Sequence, residues 1–335
     1  APEFKAELTE KDAIDFYTIA VSDEMVNSQV EMYAQRASKY DKVDSYQDRD
    51  MVKGLLAELD AEGNTKEGGI QVEGAVMMPS YMKNDDQKAI FNGAKVNDVL
   101  VFNPSVAYEG NAAELSSLLK IKKEEVEGMK SDFSFQIEEI TRAIPAALDQ
   151  ALFDQVFGEG AVKSEDEFRG KIREGIAVQF VADSNYKFLL DVRNYLMEKV
   201  GKLEFPDALL KKIMLLNNQD KGESFVEENY DKSIEELTWH LIKEQLVEAN
   251  GIKVEQDDLL AIAKENTRMQ FAQYGMMNLP EDMVENYAKD MLKKKENVEG
   301  LVNRAVDSKL IVALKGKVAL NNKEVSFDEF NEMLK

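Results

Sequence analysis

Within the stretch SFQIEEITRAIPAALD (134–149) the chain changes its period. The first half alternates as a strand does, with Phe135 and Ile137 on one face, and from Pro145 the stretch reads as the opening of a helix. No linker separates the halves. A chain built this way joins a β-module directly to a helical body. Two cores are therefore expected, and 335 residues suffice for both.

Before the junction the strand signals are short. VKGLLAELD (52–60) ends at a turn from Asp60 to Gly63, IQVEGAV (70–76) alternates, VLVF (99–102) stops before Pro104, and FSFQI (133–137) is the last. NAAELSSLLKIKKEEVEGM (111–129) reads as an inserted helix. Ahead of these, residues 1–21 are polar and weakly alternating around Ile14, Phe16 and Tyr17. Val26, Val30, Tyr33 and Ala37 then recur at helical spacing. The acidic run DKVDSYQDRD (41–50) reads as a solvated hinge; it lacks the mid-loop glycine and closing glutamate of a calcium loop.

After the junction every signal is helical, and no strand is expected beyond residue 141. Pro145 and Pro206 fit first helical turns. Capping boxes are expected at Ser164/Glu167, Ser233/Glu236 and Ser326/Glu329, and a further long helix starts near Pro280.

Several chemistries lack their parts. There are no cysteines, which removes disulfides, thiolate metal sites and cysteine nucleophiles. The single histidine, His240, reads as an ordinary helix residue, with no Ser, Cys or carboxylate arranged to use it. Gly158-Glu159-Gly160 follows a helix rather than a strand, so it is no dinucleotide fingerprint. No phosphate-binding loop or nucleophile elbow is present, and no cofactor or metal is implied. A net charge of −22 opposes direct binding of nucleic acid. No apolar run is long enough to span a membrane and no export signal is visible, so a cytoplasmic protein is expected. The chain opens on Ala1-Pro2 without a Met, as a fragment would.

What remains is apolar surface. Fifteen methionines are many for this length, and methionine suits surfaces that must fit varied partners. RMQFAQYGMMNLPEDM (268–283) carries them past a helix end, where burial in the chain's own core is hard. Met214, Met269, Phe271, Tyr274, Met276, Met277 and Met283 are therefore the candidate client-binding residues.

In this order the segments resemble the trigger factor family over nearly the whole chain. APEFKAEL (1–8) is similar to the segment after that family's ribosome-binding domain. FNGAKVNDVLVF (91–102) with AYEG (107–110) resembles part of an FKBP-type module. Residues 137–176, through EFRGKIR, resemble the family's passage into its helical domain, and residues 236–254 and VSFDEFNEML (325–334) its C-terminal body. The resemblance implies an α+β fold, with a small FKBP-like β-module attached to an extended all-α, two-armed chaperone domain. Residues 1–45 are assigned to a segment packing with the helical body, 46–144 to the FKBP-like module and 145–335 to the helical domain.

It also implies a ribosome-associated chaperone for nascent or unfolded polypeptides that needs no ATP. The family's ribosome-binding signature is absent here, so docking is expected from a missing N-terminal domain. The module looks degenerate. GNTKEGGIQVEG (63–74) lacks the Phe-Asp pair of a prolyl isomerase, and Met78-Pro79-Ser80-Tyr81-Met82 replaces the usual pocket segment. Tyr81, Tyr108 and Phe135 are the candidate pocket lining. The leading expectation is a chaperone with a vestigial isomerase module. The alternatives are an active peptidyl-prolyl isomerase served by the helical half, a periplasmic chaperone of the parvulin-bearing kind, and a helical interaction protein without chaperone activity.

Overall fold

The structure, a computed structural model, describes residues 2–335. In chain order, strand β1 (Ala13–Ile19) and helix α1 (Asp23–Arg36) precede β2 (Lys39–Val43), β3 (Met51–Glu58) and β4 (Gln71–Met77). Short helix α2 (Asp85–Ala89), β5 (Val99–Phe102), α3 (Pro104–Ala107), α4 (Ala112–Leu119) and the long β6 (Phe133–Ile144) follow. Then come α5 (Gln150–Phe157), α6 (Glu165–Val200), α7 (Asp207–Asn217) and α8 (Gly222–Ala249). The chain ends with α9 (Gln256–Gln273), α10 (Glu281–Lys293), α11 (Lys295–Lys315), β7 (Ala319–Val325) and α12 (Phe327–Met333). The chain forms two units: a sheet unit, Glu31–Leu148, and a helical unit made of the residues up to Val30 and Asp149–Lys335.

The sheet unit is an antiparallel sheet organised by β6. One edge of β6 pairs with β3, whose far side takes β4. The other edge is shared: β5 pairs with its first residues, Phe102 opposite Phe133, and β2 with its last, Lys39 opposite Ile144. The residues expected to be a hinge are thus structured. Lys39–Val43 is a strand, Tyr46 is buried, and the Asp50 carboxylate accepts two bonds from Arg142 of β6, at 2.9 and 2.7 Å. The partner lies 92 residues away in sequence, which is why a local reading saw only solvated acids. Of the residues 1–45 assigned to the helical body, 31–45 accordingly fall in the sheet unit.

Along β6 the buried positions change parity, from Phe133, Phe135 and Ile137 to Ile140. A bulge accounts for it: Lys53 pairs with Glu139 but Gly54 with Ile137, leaving Glu138 unmatched. Gly54 is required there, because a Cβ would sit 1.9 Å from the Gln136 carbonyl oxygen. Gly54→Ala is expected to destabilise the sheet unit by about 3 kcal/mol, read as a lowered calorimetric transition for that unit. The expected helix at 111–129 shrinks to α4. Lys120 adopts a left-handed φ of 57° at its C-terminus, and only a single 3-10 turn follows at Lys123–Glu125.

In the helical unit β1 pairs in parallel with β7, from Ala13 opposite Ala319 to Ile19 opposite Val325. Ile14 and Phe16 of β1 join Phe188, Val192 and Leu196 of α6 in the main core, with Phe16 and Phe188 edge-to-face at 5.9 Å. The strand β7 corrects the expectation of none after residue 141. Its sequence ALNNKEV is polar because nearly all of its residues face solvent, so it shows no alternation. Helix α6 buries a residue about every turn, from Phe168 to Leu196. Ser164 caps it by accepting from the Glu167 N–H at 3.1 Å, and Ser326 and Glu329 form a full capping box on α12. Ser233 is no cap; it lies inside α8 and donates back to the Asn229 carbonyl. Nor does Pro145 open a helix: β6 runs to Ile144, and Asp149 caps α5.

Asp12, buried beside β1, accepts from the Tyr195 hydroxyl at 2.6 Å, Lys199 Nζ at 2.8 Å and the Thr9 N–H at 2.7 Å. Burial opposes its ionisation, but Lys199, Tyr195 and Thr9 outweigh it and hold the carboxyl near pKa 2, below an ordinary 3.8. A lowered folded-state pKa stabilises above the unfolded value and is lost as pH falls through the folded one. The stability gap between wild type and Asp12→Asn should therefore narrow by about 2 kcal/mol between pH 5 and 2, measured by denaturant titration.

Candidate functional sites

The two long hairpins of the helical unit leave apolar side chains in solvent. In the first, α9 ends at Tyr274 and Gly275. The left-handed φ of Gly275 (79°) lets the Met276 N–H reach back to the Phe271 carbonyl at 3.1 Å. The chain then runs extended to Pro280, which precedes α10. Small residues Ala263, Thr267 and Ala288 bring the two helices together, and Lys264 clasps Glu281 and Glu285 at 3.0 and 3.3 Å. These contacts hold the helices without using Tyr274, Met276 or Met277. Tyr274 is 78% exposed, Met276 48%, Met277 45%, Met269 44% and Met283 40%. Phe271 is half-buried, packed edge-to-face on Tyr287 at 5.1 Å. Gly158 approaches this turn so closely that a Cβ there would lie 2.5 Å from the Asn278 amide nitrogen.

The second hairpin is α7–α8. Helix α7, DALLKKIMLLN, buries no residue fully, and Leu209, Ile213 and Leu216 are exposed on one stripe at i, i+4 and i+7. Sequence reasoning passed over these three. The stripe was visible, but a stripe alone does not say whether a neighbour covers it. Met214, which it did select, is half-buried at the joint with α8, where its sulfur lies 3.9 Å from Ser233 Oγ.

In the sheet unit a cavity of about 500 Å3 opens beside β4, lined by Val72, Met77, Met78, Tyr81, Tyr108 and Leu118 among others. Tyr81 is 67% exposed at its mouth, and Tyr108 is buried. Burial, reinforced by Glu114, pushes the Tyr108 hydroxyl up to about 12, so it remains a neutral donor. Both tyrosines also border a neighbouring cavity of about 740 Å3 with Lys83, Lys88 and Glu109. Phe135 belongs to neither. It is fully buried in the core with its ring 6.3 Å from Phe91, because its face of β6 turns inward and away from the opening. The apolar wall and hydroxyls can hold an apolar group, but no acid–base pair is assembled.

His240 is exposed on α8 beside Glu244 at 3.3 Å. Among the described residues no cluster of His, Asp or Glu is arranged to hold a metal. No helix among them is long and apolar enough to cross a membrane.

Residues 40–145 match the family model for the FKBP-like domain of probable trigger factor, and residues 184–334 the model for its C-terminal domain. A curated relative, the trigger factor of Chloroherpeton thalassium (strain ATCC 35110 / GB-78), is 24% identical over 290 residues. The alignment covers 82% of this chain and 62% of the relative, so the chain spans less than two thirds of that protein's length. A solved structure of the trigger factor chaperone, described for promiscuous substrate recognition in folding and assembly, aligns with 94% of this chain and 73% of its own. Its TM-score is 0.49 at 14% identity.

Proposed function

Because the chain belongs to the trigger factor family, we propose that it is a chaperone holding nascent or unfolded polypeptides on the apolar surfaces of its two helical hairpins, without ATP. One observation carries this reading: Tyr274, Met276 and Met277 at one hairpin turn, and Leu209, Ile213 and Leu216 on α7, stay in water. Burying one such side chain against a partner yields about 1.5–3 kcal/mol, while association costs at least about 4 kcal/mol. A single residue therefore holds nothing, and several together hold an unfolded chain weakly enough to release it. The family's ribosome-binding signature is absent from these residues, and we assign none of them to ribosome docking. The test is light scattering of a thermally unfolding client with nucleotide absent. Suppression at equimolar chaperone is expected; continued aggregation at stoichiometric excess rejects the reading.

The cavity beside β4 favours a second reading, prolyl isomerisation. A dry apolar pocket lowers the X–Pro barrier of about 18–20 kcal/mol without proton transfer. An exchange assay on a proline peptide measures it. Acceleration that survives Tyr108→Phe but is lost in Tyr108→Ala assigns the step to the pocket wall; no acceleration by wild type removes this reading.

A further inference from the structure

Where α9, α10 and α11 meet, a cavity of about 660 Å3 opens, a volume typical of ligand sites. Unlike the hairpin surfaces it is lined by primary amides: Asn266 and Gln270, one turn apart on α9, and Asn297 on α11. Arg304 donates to Asn266 Oδ1, which orients that amide and leaves its N–H groups to donate. Tyr287 and Met291 supply apolar wall, and Leu301 is buried beneath. The charges lining the cavity balance, Asp290 and Glu296 against Lys294 and Arg304. Gly300 lies within α11, where glycine is among the poorest helix formers, and a Cβ there meets nothing within 4 Å, so the space over it is open.

We infer that this cavity binds the main chain of an extended polypeptide, its amides pairing with peptide groups whatever the client's side chains. The inference rests on the chaperone reading above. A primary amide offers the same C=O and N–H pair as a peptide bond, and that pair is the one feature all unfolded clients share. Balanced charge refuses neither acidic nor basic clients. The Tyr287 ring, packed on Phe271, borders both this cavity and the apolar turn. One client segment can therefore place side chains on the turn and backbone in the cavity.

The test compares an extended apolar peptide with its ester-for-amide counterpart, which keeps every side chain, loses backbone N–H groups and offers weaker carbonyl acceptors. Binding is read by fluorescence anisotropy on the full chain. Wild type should prefer the amide peptide by about tenfold. The combined variant Asn266→Ala, Gln270→Ala, Asn297→Ala should lose that preference, and so should Gly300→Trp, which fills the space and leaves the amides in place. Equal, tight binding of both peptides by wild type overturns the inference and leaves the chaperone reading intact. So does a preference that survives in both variants. Binding of neither peptide by wild type overturns both.

Discussion

Replacing Tyr274, Met276 and Met277 together by serine weakens capture of an unfolded client by about a hundredfold, with the melting temperature unchanged. Each side chain is about half or more exposed and so has apolar area free to lose water against a partner. Three partial burials forgone amount to about 3 kcal/mol, and each 1.4 kcal/mol is a factor of ten. None of the three belongs to a core cluster of the helical unit, which is why stability should not move. Anisotropy of a labelled, permanently unfolded client measures the affinity. Unchanged affinity would remove this turn from the binding surface and leave α7, where Leu209→Ser with Ile213→Ser is the corresponding change. Helix α7 holds its place through α8, with the Tyr230 hydroxyl donating to Asp207 at 2.8 Å, so its exposed stripe is also free to be altered.

The second large effect lies in the sheet unit. Arg142→Leu leaves the Asp50 carboxylate, 1% exposed, with only the Gln47 N–H at 2.8 Å. An uncompensated buried charge costs about 3–5 kcal/mol. Arg142 is partly solvated and also donates to the Ser45 carbonyl at 3.0 Å, so the lower part of that range applies. Calorimetry should show one transition moving down and the other staying. The double change Asp50→Leu, Arg142→Leu should recover much of the loss, because it removes the stranded charge along with its partner. If residues 41–50 were a hinge, neither change would matter.

The strands β3, β4, β5 and β6 were legible in the sequence because each sends apolar residues into the core of the sheet unit, as β6 shows with Phe133, Phe135 and Ile137. The strands β2, KYDKV, and β7, ALNNKEV, are mostly exposed and stay polar, so pattern reading took one for a hinge and missed the other. Their positions are set by partners far along the chain, which no local window contains. The apolar turn at residues 274–277 was found because a helix end leaves little to pack against. Phe135 was misplaced because alternation marks a buried face without saying whether it meets a cavity or a core. The amide-lined cavity had no local signal at all: its three amides come from two helices and acquire meaning only when those helices meet.

The parallel ribbon of β1 and β7 sets an order of assembly during synthesis. Asp15 on the first strand accepts from Asn321 on the second, across a separation of 306 residues. The sheet unit has all its strands between Lys39 and Ile144, so it can close as soon as those residues have emerged. At the usual pace of 5–20 residues per second, β1 must wait about 15–60 s for its partner. Until α6 emerges, and the α11 residues Leu310, Ile311 and Leu314 after it, Ile14 and Phe16 lack the core they end in. A protein proposed to shield the unfinished chains of others thus passes through the same exposed condition in its own making.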